Sequence, residues 1–466
     1  MTGNASMRTR TSVLASLVAV CLASTVLVSG KAAAQTIEDA FASAYRNNPR
    51  ILAQRAKVRA TDETVPQALS NWRPSLSFTG ETGLSRVDSN IATPSLQHRE
   101  PKSLSLDLTQ PIFRGGRTLA ATSQAENQIK AERARLIGIE QTVMFEAATA
   151  YLDVFRDMAV LQLNINNEQV LRRQLEATRD RFQVGEITRT DVFQAEARLA
   201  RATADRIQAE SNLEASRAAY QNVVGEPAPA KLVLPKVPEG TPQSKLEAGK
   251  IASANNPNVT AADYDARAAT DNVDVVWGEL LPTVSVVGTA SKEYESSTER
   301  SIISTLEGTL RVSVPIYQTG SVYSRLRAAR QSVGERRSLI DKERRDATQT
   351  AARSYENLLA AHARVDQFLA QIRAATVALE GVEREAAVGS RTVLDVLDAE
   401  QELLDAKVNH VRAQRDELVN AYELQSALGY LTAANMKLGV ERYDPDEHYR
   451  EVRDKWVGGK SKGGVN

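Results

Sequence analysis

Two threonine–aspartate pairs share one spacing in different parts of the chain. Thr188 precedes Asp191 by three residues, and Thr392 precedes Asp395 by the same interval. This spacing is typical of a capping box, in which both side chains bond backbone N–H groups at a helix start, where an acid also suits the helix dipole. Asp398 lies three residues further on, beyond the usual cap. The pattern predicts two helix starts and one carboxylate that capping does not explain.

An arginine precedes the second pair only. Arg391 stands directly before Thr392, whereas Ile187 stands directly before Thr188. Because the two segments otherwise match, this difference favours a specific partner for Arg391 over a role as a solvated surface charge.

Other candidate chemistry finds no support in the sequence. The four histidines are His98, His362, His410 and His448. They lack the spacing of metal ligands. We expect them on solvated surfaces or, for His410, at a break in a coiled coil. Gly459-Lys460-Ser461 ends like a phosphate-binding loop, but Asp454 stands where that motif requires its first glycine. The sequence therefore predicts neither an enzyme nor a cofactor.

The chain repeats itself at a nearly constant interval. Asn47-Asn48-Pro49 recurs as Asn255-Asn256-Pro257 at an offset of 208 residues, and the offset becomes 204 after a four-residue length change. The second offset relates Pro111-Ile112-Phe113 to Pro315-Ile316-Tyr317, Tyr151 to Tyr355, Val184-Gly185 to Val388-Gly389, Glu196 to Glu400, and Gly225 to Gly429. Copies of about 190 residues are too long for solenoid units. The duplication predicts a pseudo-symmetric molecule in which both copies do the same mechanical job.

Each copy contains one predicted β-hairpin. Helical stretches near 36–69 and 245–281 end before Pro74 and Pro282, and apolar residues then alternate with polar ones. The alternating apolar residues are Leu76, Phe78, Leu104, Leu106, Leu108, Val284, Val286, Leu310, Val312 and Val314. Loops are expected near 88–101 and 294–301. Such hairpins could lie on a soluble domain. Alternatively, they fit an outer-membrane barrel, which four strands cannot close alone, so several chains would have to share it.

Long helices follow the hairpins. No proline occurs over 117–183 or 321–387, and a helix of 67 residues would reach about 100 Å. Gly185 and Gly389 are expected to end these helices, and return helices start after Thr188 and Thr392. Apolar and small residues recur every seven residues in both return helices, which is coiled-coil spacing. The second return helix carries a further apolar row of Leu397, Leu404, Val411 and Leu418, which predicts a helix between two neighbours in a curved wall.

The N-terminus has the layout of a secretory signal peptide. Arg8 and Arg10 precede an apolar run over 13–28, and Ala32-Ala33-Ala34 offers a cleavage site. The run is shorter than the ~20 apolar residues that a membrane anchor needs. Cys21, the only cysteine, lies inside it. The mature chain is therefore expected to have no disulfide.

Composition narrows the class of protein. The whole chain has 58 basic and 58 acidic residues; residues 1–34 hold three basic residues and no acid, which leaves 55 against 58, or −3. This balance gives no support for nucleic-acid binding. The low aromatic content of 5% and the charge-laced helical stretches indicate extended helices more than a compact core.

These features divide the chain into five parts. The sequence predicts a signal peptide over 1–34, a first repeat over 35–225, a proline-rich linker over 226–243, a second repeat over 244–430 and a polar tail over 431–466 that is disordered from Glu441 onward.

The segment Val388-Gly-Ser-Arg-Thr-Val-Leu-Asp-Val-Leu-Asp-Ala-Glu400 resembles the helix-turn-helix tip of the TolC-like outer-membrane channel proteins, and 184–192 resembles its partner in the first half. With the duplication and the hairpins, the resemblance covers nearly all of the mature chain. It implies a mainly α membrane protein of the α+β class. Three chains would form a 12-stranded β-barrel in the outer membrane, continued by a long α-helical coiled-coil tunnel through the periplasm.

The resemblance also implies roles for tip residues. Arg391 matches an arginine that ties the inner helix pair to its neighbours, and Thr190 and Asp191 match the partners of that arginine. Asp395 and Asp398 match acidic rings at the constriction. Six carboxylates around one axis would raise carboxylate pKa values and attract cations. Capping and gating can coexist at Asp191 and Asp395.

The function implied by the resemblance is a passive exit duct in the outer membrane of a Gram-negative bacterium. A periplasmic adaptor protein and an inner-membrane ABC or RND pump would recruit this homotrimer, with type I protein secretion favoured by the second tip and multidrug efflux as the alternative. A periplasmic coiled-coil adaptor or scaffold, whose hairpins never meet lipid, is the alternative from another class.

Overall fold

The computed structural model describes residues 36–88, 90, 96–238, 240–298 and 300–459. The predicted signal peptide over 1–34, with Cys21, lies outside the described residues, as does the chain from Lys460 onward. The helices are α1 (Ile37–Asn47), α2 (Pro49–Asp62), α3 (Thr64–Ser70), α4 (Arg117–Gln183), α5 (Arg189–Val224), α6 (Lys245–Asn255), α7 (Pro257–Trp277), α8 (Ser321–Ala387), α9 (Val393–Ala427) and α10 (Pro445–Val452). The strands are β1 (Ser75–Thr82), β2 (Ser85–Asp88), β3 (Leu96–Arg99), β4 (Lys102–Arg114), β5 (Thr283–Tyr294) and β6 (Ile302–Ser313).

Four strands form one antiparallel sheet in the order β1-β4-β5-β6. The register places Phe78 opposite Leu106, Leu106 opposite Ala290, and Ala290 opposite Leu306, so these apolar side chains share one face. Asp107 and Thr289 face the other way and are joined by a hydrogen bond of 2.9 Å. One face of the sheet is therefore apolar and the other polar. The loop predicted near 88–101 is partly wrong, because β2 and β3 form a small hairpin there.

Two helices of 67 residues run away from this sheet, with the bounds predicted from the sequence. Each starts after a left-handed glycine, Gly116 or Gly320, and no proline interrupts it. The first helical stretch, predicted as one unit, is instead divided: Asn48 ends α1 and caps α2, whose first residue is Pro49. Among the described residues, no helix is both long and apolar enough to cross a membrane.

The helices stand side by side as a wall. α4 contacts α2, α5, α7 and α9, and α7 and α9 in turn contact α8. The second apolar row of α9 serves this arrangement, because Leu397 is buried against Leu171 and Leu175 of α4 while α9 also packs along α8. The expectation of a helix between two neighbours is confirmed.

The largest core lies at mid-height, where α1 and the segment after α9 pack on α4. Phe41 meets Tyr422 edge-on with ring centroids 5.7 Å apart, and Tyr151 is fully buried beside them. The disorder predicted from Glu441 onward is wrong for most of the tail, because α10 docks on α2. The solvated position predicted for His448 is also wrong: this residue is 8% exposed, and its Nδ1 lies 3.1 Å from Oδ2 of the buried Asp62.

Candidate functional site

The end of the wall furthest from the sheet consists of two tight helix turns. α4 turns into α5 through Gly185, and α8 turns into α9 through Gly389, each glycine having φ near +80°. The Glu186 N–H donates to the Arg181 carbonyl over 3.0 Å, and the Ser390 N–H donates to the Glu385 carbonyl over 2.9 Å. These bonds satisfy carbonyls that would otherwise be unpaired where the long helices end. Both tips therefore have the same backbone, and they differ in side chains.

Capping boxes open both return helices, as the sequence predicted. The Thr188 backbone N–H donates to Oδ2 of Asp191 over 2.9 Å, and the Thr392 N–H donates to Oδ2 of Asp395 over the same distance. The bonds from the backbone and hydroxyl of Thr392 hold the pKa of Asp395 below its usual value. In a single chain this is opposite to the raised pKa that the resemblance implied, because a cap stabilises the charged carboxylate.

Arg391 does not meet its expected partners within one chain. Its Nε donates to Oε2 of Glu385 over 2.9 Å, on the same tip, and both side chains are half exposed. This bond raises the pKa of Arg391. Thr190 is exposed and Asp191 partly so on the other tip. A contact between Arg391 and either residue would have to form between chains.

Asp398 does have a partner within the chain, one that the sequence reasoning missed. Its Oδ1 forms an ion pair with Nη2 of Arg198 on α5. The pair lies next to Leu397, which is buried against α4 and α5. A signal was present: Glu402 stands where the offset of 204 places the counterpart of Arg198, and Gln194 where it places that of Asp398. Both members of the pair therefore differ between the repeats.

A second missed group is Glu400, five residues beyond Asp395 on α9. Burial, with the nearby charge of Glu383 on α8, raises the pKa of Glu400 to about 7. Its Oε2 has no hydrogen-bond partner among the described residues. The tip of the second repeat thus contains a carboxyl that titrates near neutral pH.

Within the described ranges, no three His, Cys, Asp or Glu side chains cluster in a way that could hold a metal ion. The polar groups at the tips are ion pairs and caps, which can hold helices together or release them.

Comparison with known proteins identifies the family. The model of the outer membrane efflux protein family matches residues 41–226 and 249–430, one match in each repeat, and the chain belongs to this family. Members are outer-membrane channels and not enzymes, which confirms the predicted family, location and absence of an enzyme activity. The periplasmic scaffold, the alternative from another class, is therefore wrong.

The chain is 35% identical to the outer membrane efflux protein BepC of Brucella suis over 94% of this chain and 95% of the relative. It is 26% identical to the outer membrane protein TolC of Escherichia coli over 86% of this chain and 84% of the relative. The crystal structure of the outer membrane protein VceC of Vibrio cholerae superposes with a TM-score of 0.71, covering 84% of this chain and 96% of that one at 19% identity. The predicted fold class is confirmed.

Proposed function

We propose that this protein is the exit duct of a tripartite export system and that three copies share one barrel. The order of the sheet carries the proposal: among the described residues, the edge strands β1 and β6 each pair with one strand only, β4 and β5, and their outer edges are open. An open edge cannot face lipid, because its N–H and C=O groups would be unsatisfied there, and small barrels use at least eight strands. Three sheets of four strands supply 12.

In this proposal a periplasmic adaptor and an inner-membrane ABC or RND pump recruit the duct and supply the energy for transport. The trimer is tested by extracting the protein from outer membranes and measuring its mass in detergent with and without heating. A heat-resistant species of three chains supports the proposal. A single chain at every detergent and protein concentration would overturn it.

The duct opens when α8 and α9 move away from α4 and α5 at the tips. Within a chain, the Arg198–Asp398 ion pair and buried Leu397 oppose that movement. Between chains, Arg391 exchanges Glu385 for Asp191 and Thr190 of a neighbour when the duct is closed. Asp395 and Asp398 from three chains surround the narrow passage.

Planar-bilayer conductance tests the latch between chains. Arg391→Ser is expected to raise the closed-state conductance, whereas Arg384→Ser is the matched control, because Arg384 is a more exposed arginine that pairs only loosely with Glu380, 3.5 Å away on the same helix. If Arg391→Ser left the closed-state conductance at the value of the control, the latch would not involve Arg391.

For the cargo, we propose proteins exported by type I secretion. The tip segment 388–400 supports this choice, as do relatives named for protease secretion, PrtF of Dickeya chrysanthemi at 24% identity and AprF of Pseudomonas aeruginosa at 21%. BepC is named an efflux protein, and efflux of drugs is the second candidate for this chain. Deleting the gene separates them: loss of secreted proteins with unchanged drug sensitivity supports secretion, and the reverse supports efflux.

A further inference from the structure

The C-terminal segment is held in a defined position beyond α10. Val452 at the end of α10 is fully buried, and the buried contact between His448 and Asp62 anchors the middle of the helix to α2. Nη1 of Arg133 on α4 also binds Oδ1 of Asp446 over 2.5 Å. Contacts with α2 and α4 therefore fix the position of α10 and the direction of the segment that follows it.

Arg73 then fixes this segment beside the sheet. Its Nη1 donates to the Lys455 carbonyl over 2.6 Å, and its guanidinium lies 5.0 Å from the ring centroid of Trp456. Because Arg73 is two residues before β1, Trp456 lies at the level where the helices give way to the strands. Trp456 is nevertheless 65% exposed, and Val457 beside it is exposed as well.

The other tryptophans of the chain lie at the same level. The protein has three tryptophans in total. Trp72 precedes β1 and is 42% exposed, and Trp277 precedes β5 through one short 3-10 turn and is 48% exposed. Tyr317, also exposed, follows β6. Tryptophan and tyrosine concentrate where a barrel meets the water on either side of a bilayer, because an amphipathic ring suits the headgroup layer.

Basic side chains lie at this end of the sheet, where the acidic Glu279 is already paired with Arg325. Arg114 and Arg117 lie at the junction of β4 and α4, and Arg73 stands beside Lys455. Basic residues close to an apolar surface match the phosphate groups of phospholipids.

We propose that the C-terminal segment is a membrane anchor: Trp456 and Val457 enter the headgroup layer of the phospholipid leaflet on the helical side of the barrel. This inference depends on the proposed barrel, and it adds a membrane contact that the strands do not make. Arg73 couples the two, because it holds the anchor by the Lys455 carbonyl and the Trp456 ring while it leads into β1.

Quenching by brominated phospholipids tests the anchor in the full-length protein. Trp72→Phe with Trp277→Phe leaves Trp456 as the only tryptophan, and the protein is reconstituted into phosphatidylcholine–phosphatidylglycerol vesicles with bromine at shallow acyl positions. We expect the fluorescence of Trp456 to fall at least twofold relative to vesicles without bromine. Fluorescence that stays unchanged would overturn the anchor, and would leave Trp456 against a neighbouring chain or in water.

Two further variants distinguish an incorrect anchor from an incorrect barrel. Each carries a single reporter tryptophan, because all three native tryptophans are replaced by phenylalanine. Phe78→Trp places a tryptophan on the apolar face of the sheet, and Phe193→Trp places one on α5 near the far tip. Quenching of the first and not the second shows that the sheet is in lipid, so an unquenched Trp456 then overturns the anchor alone. If the Phe78→Trp reporter is also unquenched, both the anchor and the barrel in lipid are overturned.

Discussion

Arg198 and Asp398 form an ion pair that joins the return helix of the first repeat to the return helix of the second. In the opening movement proposed above, it is one of the polar contacts that would break. Asp398 is more than half exposed and Arg198 about one quarter exposed, so the pair is worth about 0.2–1 kcal/mol.

We predict that Arg198→Gln increases opening of the reconstituted duct by up to about fivefold, because that free energy no longer favours the closed tips. Single-channel recording measures the open fraction. Arg201→Gln is the control, since Arg201 lies on the same helix and its ion pair with Asp205 is long at 3.8 Å. Arg198→Asp combined with Asp398→Arg should restore the closed duct; equal opening in the Arg198→Gln and Arg201→Gln proteins would contradict the prediction.

Glu400 predicts that the second tip is more rigid at acidic pH. Its pKa is raised to about 7 in the folded chain, against about 4.3 for an unperturbed glutamate. A carboxyl with a raised pKa favours the folded tip when protonated, so its contribution is complete below about pH 4.3 and is lost as pH rises through about 7. Hydrogen exchange over residues 383–400 should therefore be slower at pH 5.5 than at pH 8, after correction for intrinsic rates.

Glu400→Gln should remove this pH dependence, because the amide stays neutral. Glu402→Gln changes an exposed glutamate two residues further along α9 and should leave the dependence intact. A pH dependence that survives Glu400→Gln would show that another group is responsible.

The sequence predicted those parts of the molecule that local patterns determine. Both long helices begin and end as expected, because glycine, the absence of proline and a threonine cap act within a few residues. The division of α1 from α2 had a local signal that was not used, since Asn48-Pro49 recurs in the second repeat as Asn256-Pro257, where α6 ends and α7 begins.

Contacts between residues that are far apart in the sequence could not be predicted from local patterns. His448 is buried because Asp62, 386 residues away, lies beside it, and the partner of Asp398 depends on which helices are neighbours in the wall. The single sequence contains the asymmetry of Arg198 and Asp398, but it does not contain the distance between them.

Loss of the tyrosine hydroxyl is predicted to destabilise the protein more at Tyr151 than at the matched position in the second repeat. Its hydroxyl donates to the Val233 carbonyl over 2.7 Å and accepts from the Val233 N–H over 3.0 Å, which attaches the linker to α4 in a fully buried position. Tyr151→Phe should lower the free energy of unfolding by about 1–3 kcal/mol, because both backbone groups lose a partner in the interior.

The matched position in the second repeat provides the control. Tyr355 is only partly buried, and its hydroxyl donates to the Gln243 carbonyl over 3.2 Å at an exposed position, where water can replace this bond. Urea titration in detergent should therefore show a much smaller loss for Tyr355→Phe. Equal losses at the two positions would mean that the buried pair of bonds is not what stabilises the linker.

Two adjacent glycines at the junction of sheet and helix should differ in how well they tolerate substitution by alanine. Gly115 and Gly116 both have positive φ, 63° and 76°. A Cβ atom on Gly115 would lie 2.4 Å from the Gly278 carbonyl oxygen and 2.8 Å from Cβ of Leu281, whereas one on Gly116 would meet nothing within 4 Å. Gly116→Ala therefore has only the backbone cost of a left-handed residue, about 1–2 kcal/mol.

Gly115→Ala has the same backbone cost, and its new methyl group must also displace the turn that precedes β5. We therefore expect Gly115→Ala to lower the midpoint of thermal unfolding more than Gly116→Ala does. The comparison isolates packing at the junction, because the two variants share the substitution and nearly the same φ; a loss for Gly116→Ala that equals or exceeds the loss for Gly115→Ala would show that the two chain segments are not in contact there.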